Sequence, residues 1–213
     1  MQPLQKFDDC VAFLKERMKK PLPGLQAQLK LAPPFRDNIM PKVLDNYRKG
    51  SVMLLMKNIE QQPHIVFIER SDDGKVHSGQ IAFPGGKKDE SDESLLATAV
   101  RETDEEIGLA SHHISVLGEL TQLYIPPSNF MVDPFVGFVE KQIDYSINEK
   151  EVKRIIEIPL ADFFKDDVIG NEDVVTTYRG PVSVPCYNLH GVQIWGASSM
   201  ILSEFISLFD EIK

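Results

Sequence analysis

The stretch GQIAFPGGKKDESDESLLATAVRETDEEIGL, Gly79–Leu109, decides how the chain is read. It begins with a short strand candidate, Gln80–Phe83, which Pro84-Gly85-Gly86 breaks. A helix is expected from near Asp92, with Ser91 or Asp92 as its N-cap and Glu93 in the first turn, where a carboxylate suits the helix dipole. Gly108 is the expected stop, since glycine takes the left-handed turn that follows a helix. Between Asp92 and Glu106 stand six acidic residues and one arginine. Like charges three or four residues apart on a helix each cost a few tenths of a kcal/mol. Either solvent tolerates that crowding, or a divalent cation normally relieves it.

An acidic run by itself is more often a solvated face; what points to the cation is its conjunction with Gly-Gly, the acidic loop, REXXEE and the terminal glycine at fixed distances. At about 100° per residue, Glu102, Glu105 and Glu106 fall on an arc of roughly 100°. Leu96, Val100 and Ile107, joined by Thr103, form a separate stripe about 130° around, which would dock on a sheet. Arg101 precedes Glu102 and lies four positions before Glu105, placed to orient a carboxylate. Oxygen ligands on a rigid helix suit Mg²⁺ or Mn²⁺. The adjoining glycines offer close backbone approach and free carbonyls, Gly86 among them.

Outward from this stretch, Phe7–Lys20 reads as an amphipathic helix stopped by Pro21, and residues 21–50 as an arm rich in Pro and Gln. Ser51–Met56 and Ile65–Glu69 are nearly continuous apolar runs, as in strands buried on both faces. Ile114–Ile125 and Met131–Val139 are strands around a Pro-Pro-Ser-Asn turn; Glu149–Glu157 fits a short helix or a strand. A helical turn at Leu160–Lys165 and a hairpin around Arg179-Gly180 precede a final amphipathic helix, Ala197–Ile212. The interleaving lacks a strict βαβα rhythm and favours a mixed sheet with helices on both faces. Residues 1–50 are an N-terminal helix and arm, and 51–213 a single globular unit. The net charge of −9 argues against broad attachment to nucleic acid. No apolar run approaches a membrane span, and no secretory signal opens the chain. Two distant cysteines, Cys10 and Cys186, give no disulfide framework, so a cytoplasmic protein is expected.

FPGGKKDESDESLLATAVRETDEEIGL resembles the Nudix box, the signature of hydrolases that cleave nucleoside diphosphates linked to another moiety. The family pattern is G-x5-E-x7-R-E-U-x-E-E-x-G-U, with U a bulky apolar residue. Arg101, Glu102, Glu105, Glu106, Gly108 and Leu109 match in register, and Glu93 stands eight positions ahead of Arg101. One extra residue lies between Gly86 and Glu93, so either Glu93 or Asp92 takes the first acidic role; Thr103 fills an apolar position. Upstream, FIERSDDGKVHSGQIAFPGG is similar to the extra motif of the coenzyme A pyrophosphatase branch, L-L-T-x-R-S-x3-R-x3-G-x3-F-P-G-G. Arg70, Ser71, Gly79, Phe83, Pro84, Gly85 and Gly86 match, with Lys75 in place of an arginine. GASSMIL near the C-terminus resembles the final helix of that branch.

The resemblance implies a Nudix-type α/β/α sandwich. It implies Mg²⁺ or Mn²⁺ held by Glu102, Glu105 and Glu106 with the Gly86 carbonyl, and cleavage of coenzyme A into 3′,5′-ADP and 4′-phosphopantetheine. Arg70 and Lys75 would lend positive charge to the rim, followed by Lys87, with His77 as a hydrogen-bond donor. Glu151, outside the box, is a candidate general base. Tyr124 and Phe130 flank the Pro126-Pro127 turn as candidates for an adenine or pantetheine pocket. Folds of this type often pair through an extra N-terminal segment, which makes a homodimer an expectation. The competing interpretations are a Nudix hydrolase for ADP-ribose, a dinucleotide or a nucleoside triphosphate; a nucleotide sensor without catalysis; and an acidic interaction domain whose glutamates are only solvated.

Overall fold

The apolar run that includes Val52–Met56 becomes the middle of the sheet. The computed structural model of the chain describes residues 4–34, 36, 45–72, 79–141, 143–176 and 180–212. It opens with helix α1 (Phe7–Arg17), helix α2 (Gly24–Leu29) and the long strand β1 (Arg48–Ile59). β2 (Gln62–Arg70), β3 (Ile81–Ala82) and β4 (Gly85–Lys87) lead into helix α3 (Leu95–Ile107). Strands β5 (Ser115–Glu119), β6 (Leu123–Ile125), β7 (Phe130–Val139) and β8 (Val152–Pro159) follow. The last elements are β9 (Ile169–Thr176), β10 (Gly180–Leu189), β11 (Val192–Trp195) and helix α4 (Ala197–Ser207).

The main sheet is mixed. β1 runs parallel to β7 and antiparallel to β2 and β4, while β8 and β3 add to β2 and β5 and β6 to β7. A parallel pair needs a crossover, and α3 lies on it, between β1 and β7 in sequence. Met53, Leu54, Leu55 and Met56 are all fully buried, because each face of β1 is covered. Met53 and Leu55 join Ala99 and Ile107 of α3 in one core. Leu54 and Met56 join Phe7 and Leu14 of α1 and Phe205 of α4 in the other. Three strands, β9 to β11, form a separate small sheet. Among the described residues no helix is long and apolar enough to cross a membrane.

Several expected boundaries move. The first helix ends at Arg17 rather than Lys20, and β1 starts at Arg48, ahead of Ser51, because residues 48–51 gain partners on β7 and β4. The arm is not all loop: α2 packs on α4. The segment Ile114–Ile125 divides into β5 and β6, with Leu120 donating to the Pro134 carbonyl between them. Glu149–Glu157 resolves as a turn followed by strand β8, paired along β2. The final helix ends at Ser207, with a short 3₁₀ turn at Asp210–Ile212. The expected hairpin forms from β9 and β10; Arg179, at its turn, lies outside the described residues.

The arm is tied down by one buried carboxylate. Glu204 on α4 is fully buried. It accepts hydrogen bonds from the Gly24 N–H (3.1 Å), the Gln28 Nε2 (2.8 Å) and the Thr121 hydroxyl (2.6 Å). The N-terminal arm, α4 and the β5–β6 connection therefore meet at one acceptor. Glu204→Ala would remove the shared acceptor of three buried or part-buried donors and leave a cavity, and is expected to lower stability by about 3 kcal/mol. Urea unfolding followed by circular dichroism measures this; a loss below about 0.5 kcal/mol, typical of surface positions, would contradict it.

Candidate active site

Two glycines bring backbone where no side chain fits. β4 pairs with β1 so that Val52 faces Gly85 and Ser51 faces Gly86. A Cβ on Gly85 would lie 2.3 Å from the Ser51 carbonyl oxygen and 2.6 Å from the Val52 Cα. A Cβ on Gly86 would lie 2.4 Å from the Glu102 carboxyl carbon. The loop is thus pressed between β1 and α3, and the Gly85 N–H donates to Glu106 Oε2 at 2.9 Å.

The helix begins later than its sequence suggests. Ser94, not Ser91 or Asp92, is the N-cap: its hydroxyl accepts from the Ala97 N–H at 3.0 Å, and Ser51 Oγ donates to the Leu95 carbonyl. Glu93 therefore lies outside the helix, exposed. Asp92 folds back instead. Its carboxylate accepts from Arg101 Nε and Nη2 (both 2.9 Å), from the Thr98 hydroxyl (2.8 Å) and from the Asp89 N–H (2.8 Å). The turn Asp89–Asp92 absorbs the extra residue, so Asp92 holds the arginine and Glu93 does not. The paired guanidinium holds the Asp92 carboxyl far below the usual range, and Asp92 in turn raises Arg101. Arg101 also bonds Glu102 Oε1 and Glu105 Oε2, each at 2.9 Å, and the Lys87 carbonyl.

The three glutamates do not converge as expected. Ala99 and Thr103 are small and fully buried, so α3 sits close to the sheet, with the buried sector turned toward the glutamate arc. Leu96 and Val100 are only half-buried, while Glu106 is 1% exposed. Glu105 points outward, its side chain 55% exposed and bound to Arg101. Glu102 sits between, against Gly86. Burial raises the Glu102 carboxyl, opposed by Arg101 and reinforced by Glu105 and Glu151. Burial pushes Glu106 up to about 7; the Gly85 N–H and Arg70 oppose this, and Glu102 and Glu151 add to it. Glu102 and Glu106 thus each raise the cost of ionising the site, and the charge of Glu151 adds to both.

The other candidates divide. Arg70, at the end of β2, reaches Glu106 Oε1 at 3.5 Å. Glu151 lies beside it, its carbonyl accepting from the Ser71 N–H at 2.9 Å. Lys75 and His77 lie outside the described residues. Tyr124 and Phe130 do not share a pocket wall. Tyr124 is buried and donates to Asn129 Oδ1, whereas Phe130 packs against the α1/α4 core with the Arg48 guanidinium 4.2 Å over its ring. Their strand positions pair with each other's neighbours, Tyr124 with Met131 and Phe130 with Ile125, and alternation sends the two rings to opposite faces. His190 bonds Asp162, and His112 and His113 form a 3₁₀ turn, so neither joins the site. The contact that sequence reasoning missed is the Gly85 N–H on Glu106; a backbone donor leaves no side-chain signal to read.

The NUDIX domain family model matches residues 47–177. The chain belongs to the Nudix hydrolase family. Over 143 residues it is 37% identical to a protein of Yersinia enterocolitica named uncharacterized Nudix hydrolase NudL, spanning 66% of this chain and 71% of that one. A NudL of Photorhabdus laumondii is 35% identical over 135 residues, covering 63% of this chain and 68% of the other. The crystal structure of a MutT protein from Methanosarcina mazei Go1 overlays with a TM-score of 0.51 at 17% identity, over 80% of this chain and 99% of that one. That last likeness concerns the fold.

Nudix hydrolases act on nucleoside diphosphate derivatives and generally need a divalent cation. Among the described residues no three His, Cys, Asp or Glu side chains are already gathered around one point as ligands. The donor chemistry nevertheless fits a hard cation. Glu102 and Glu106 offer carboxylate oxygens beside the Gly85–Gly86 backbone, and their repulsion with Glu151 is what positive charge would relieve.

The Asp92–Arg101 pair gives a test of register. Asp92→Asn is expected to cost about 2 kcal/mol at pH 7. A carboxyl lowered on folding contributes above its unfolded value of 3.8, and that contribution disappears as the pH falls through its folded value. The gap between wild type and Asp92→Asn in urea melts should therefore narrow below pH 3.8. Glu93→Gln should stay within about 0.5 kcal/mol of wild type. The reverse ranking would return the role to Glu93.

Proposed function

We propose that this Nudix hydrolase cleaves the diphosphate bond of coenzyme A or its derivatives, giving 3′,5′-ADP and 4′-phosphopantetheine. The observation that carries this reading is the meeting of Arg70 with Glu106. Arg70 belongs to the motif similar to the coenzyme A pyrophosphatase branch, and Glu106 to the box, so the two signatures share one site. A guanidinium there partly offsets the burial of Glu106 and has further donors for a phosphate oxygen.

Glu102 and Glu106, with the Gly86 carbonyl, would hold Mg²⁺ or Mn²⁺, with Glu105 free to join by leaving Arg101. When bound, the cation supplies positive charge to the diphosphate and lowers the pKa of water. Arg101, locked by Asp92, keeps Glu102 pointed at the glycine loop. Arg70 steadies a diphosphate oxygen. Glu151 accepts the proton of the attacking water, whose oxygen forms the new bond to phosphorus as the bridging P–O bond breaks. The enzyme works in the cytoplasm, and the N-terminal helix and arm are where a homodimer would pair.

Hydrolysis in ¹⁸O-labelled water, with products of coenzyme A and ADP-ribose weighed by mass spectrometry, tests substrate and attacked phosphorus together. A large preference for ADP-ribose would overturn the coenzyme A assignment and leave the hydrolase. Glu106→Gln should fold normally and lose at least about a hundredfold in kcat, as lost active-site electrostatics typically do. Near-normal turnover would remove Glu106 from the site.

A further inference from the structure

The segment Ile143–Ser146 and the residues on to Glu151 carry no helix or strand, yet described backbone atoms along it are pinned repeatedly. Lys57 Nζ donates to the Ile143 carbonyl at 3.3 Å. The Ser146 N–H donates to the Ile107 carbonyl and the Asn148 N–H to the Glu106 carbonyl, both at 3.0 Å. These are last-turn carbonyls of α3 that the helix itself leaves unpaired. Ser71 then bonds the Glu149 carbonyl through its hydroxyl and the Glu151 carbonyl through its N–H, both at 2.9 Å.

Tyr145 anchors the middle. Its hydroxyl donates to Glu157 Oε1 at 2.8 Å, and Lys57 Nζ lies 4.2 Å from its ring centroid while pairing with the same Glu157 oxygen at 3.0 Å. Gly108 provides the space. Its φ of +70° suits the helix stop, and a Cβ there would lie 2.6 Å from the Ser146 Cβ and 2.9 Å from the Ser146 carbonyl oxygen. The terminal glycine of the box thus does two things: it turns the chain, and it leaves room for the segment to dock.

We propose that residues 143–151 are a positioning element for hydrolysis, docked on the end of α3 through Ser146, Asn148 and the space at Gly108 and anchored to β1 and β8 through Tyr145, and that this docking sets Glu151 opposite Glu102 and Glu106. The inference rests on the reading of Glu151 as the base. Tyr145 is a positioning residue here: its bonds run to Lys57 and Glu157, away from the glutamates. Asn148 on the Glu106 carbonyl and Ser71 beside Arg70 bracket the buried glutamate from both sides, so a shift of the segment moves Glu151 relative to Glu106. Loose support of this kind lowers turnover without changing what binds.

A double-mutant cycle tests it. kcat, KM and calorimetric Mg²⁺ uptake would be measured for wild type, Tyr145→Phe, Glu151→Gln and the double variant. The substrate is coenzyme A, or ADP-ribose where only that turns over. Tyr145→Phe is expected to lower kcat about fivefold, the scale of one lost hydrogen bond, with KM and Mg²⁺ uptake unchanged. In the Glu151→Gln background the same change should cost nothing further. Glu157→Gln, which weakens the same anchor from β8, should repeat the split. Equal losses in both backgrounds, or unchanged kcat in Tyr145→Phe and Glu157→Gln, would overturn the positioning role alone. Wild-type kcat in Glu151→Gln would overturn the base reading and this inference with it.

Discussion

The site depends on a carboxylate taken almost entirely out of water. Glu106 is 1% exposed and, among the described residues, is supported by a backbone N–H from Gly85 and a guanidinium 3.5 Å away. A buried carboxyl with that little compensation is driven toward its neutral form. Its ionised form is favoured when further positive charge arrives beside Arg70. The arrangement needs backbone at van der Waals contact with β1 on one side and a glutamate on the other. Only glycine allows this at position 85, and a side chain at 86 would push the Glu102 carboxylate away from the loop.

Around that carboxylate the fold assigns separate duties to chemically similar groups. Asp92 is used up in holding Arg101, and Arg101 in orienting Glu102 and Glu105. Glu69 is bound by Lys153 and Arg154 on the neighbouring strand, one residue from Arg70. Glu204 gathers the arm, α4 and the β5–β6 connection. In a chain of net charge −9, Asp92, Glu69 and Glu204 are thus each held by hydrogen bonds or cations. Glu102 and Glu106 stand out because burial raises both carboxyls, with Glu151 adding to the rise.

Much was legible beforehand because it follows from short-range pattern. Continuous apolar runs marked the central strands, since a strand covered on both faces has no polar side to show. The REXXEE spacing marked the helix face, and Gly108 its end, because backbone conformation at a helix stop is a local matter. The N-cap was misplaced by two or three residues. Ser91, Asp92 and Ser94 are all competent caps, and the choice fell to Ser94 once Asp92 was drawn away by Arg101, nine positions on. The relation of Tyr124 to Phe130 was hidden for a similar reason: closeness in sequence did not disclose that β6 and β7 form an antiparallel pair with the rings on opposite faces.

The sequence by itself determined the family signature, the order of strands and helices, and the residue types able to hold a hard cation, because these reside in spacing and composition. Tertiary structure alone decided which glutamate is buried, which is exposed on Arg101, and that Arg70 and Glu151 arrive beside them. Those outcomes turn on how closely α3 approaches the sheet and on contacts between residues dozens of positions apart. No periodicity along the chain encodes a distance across it.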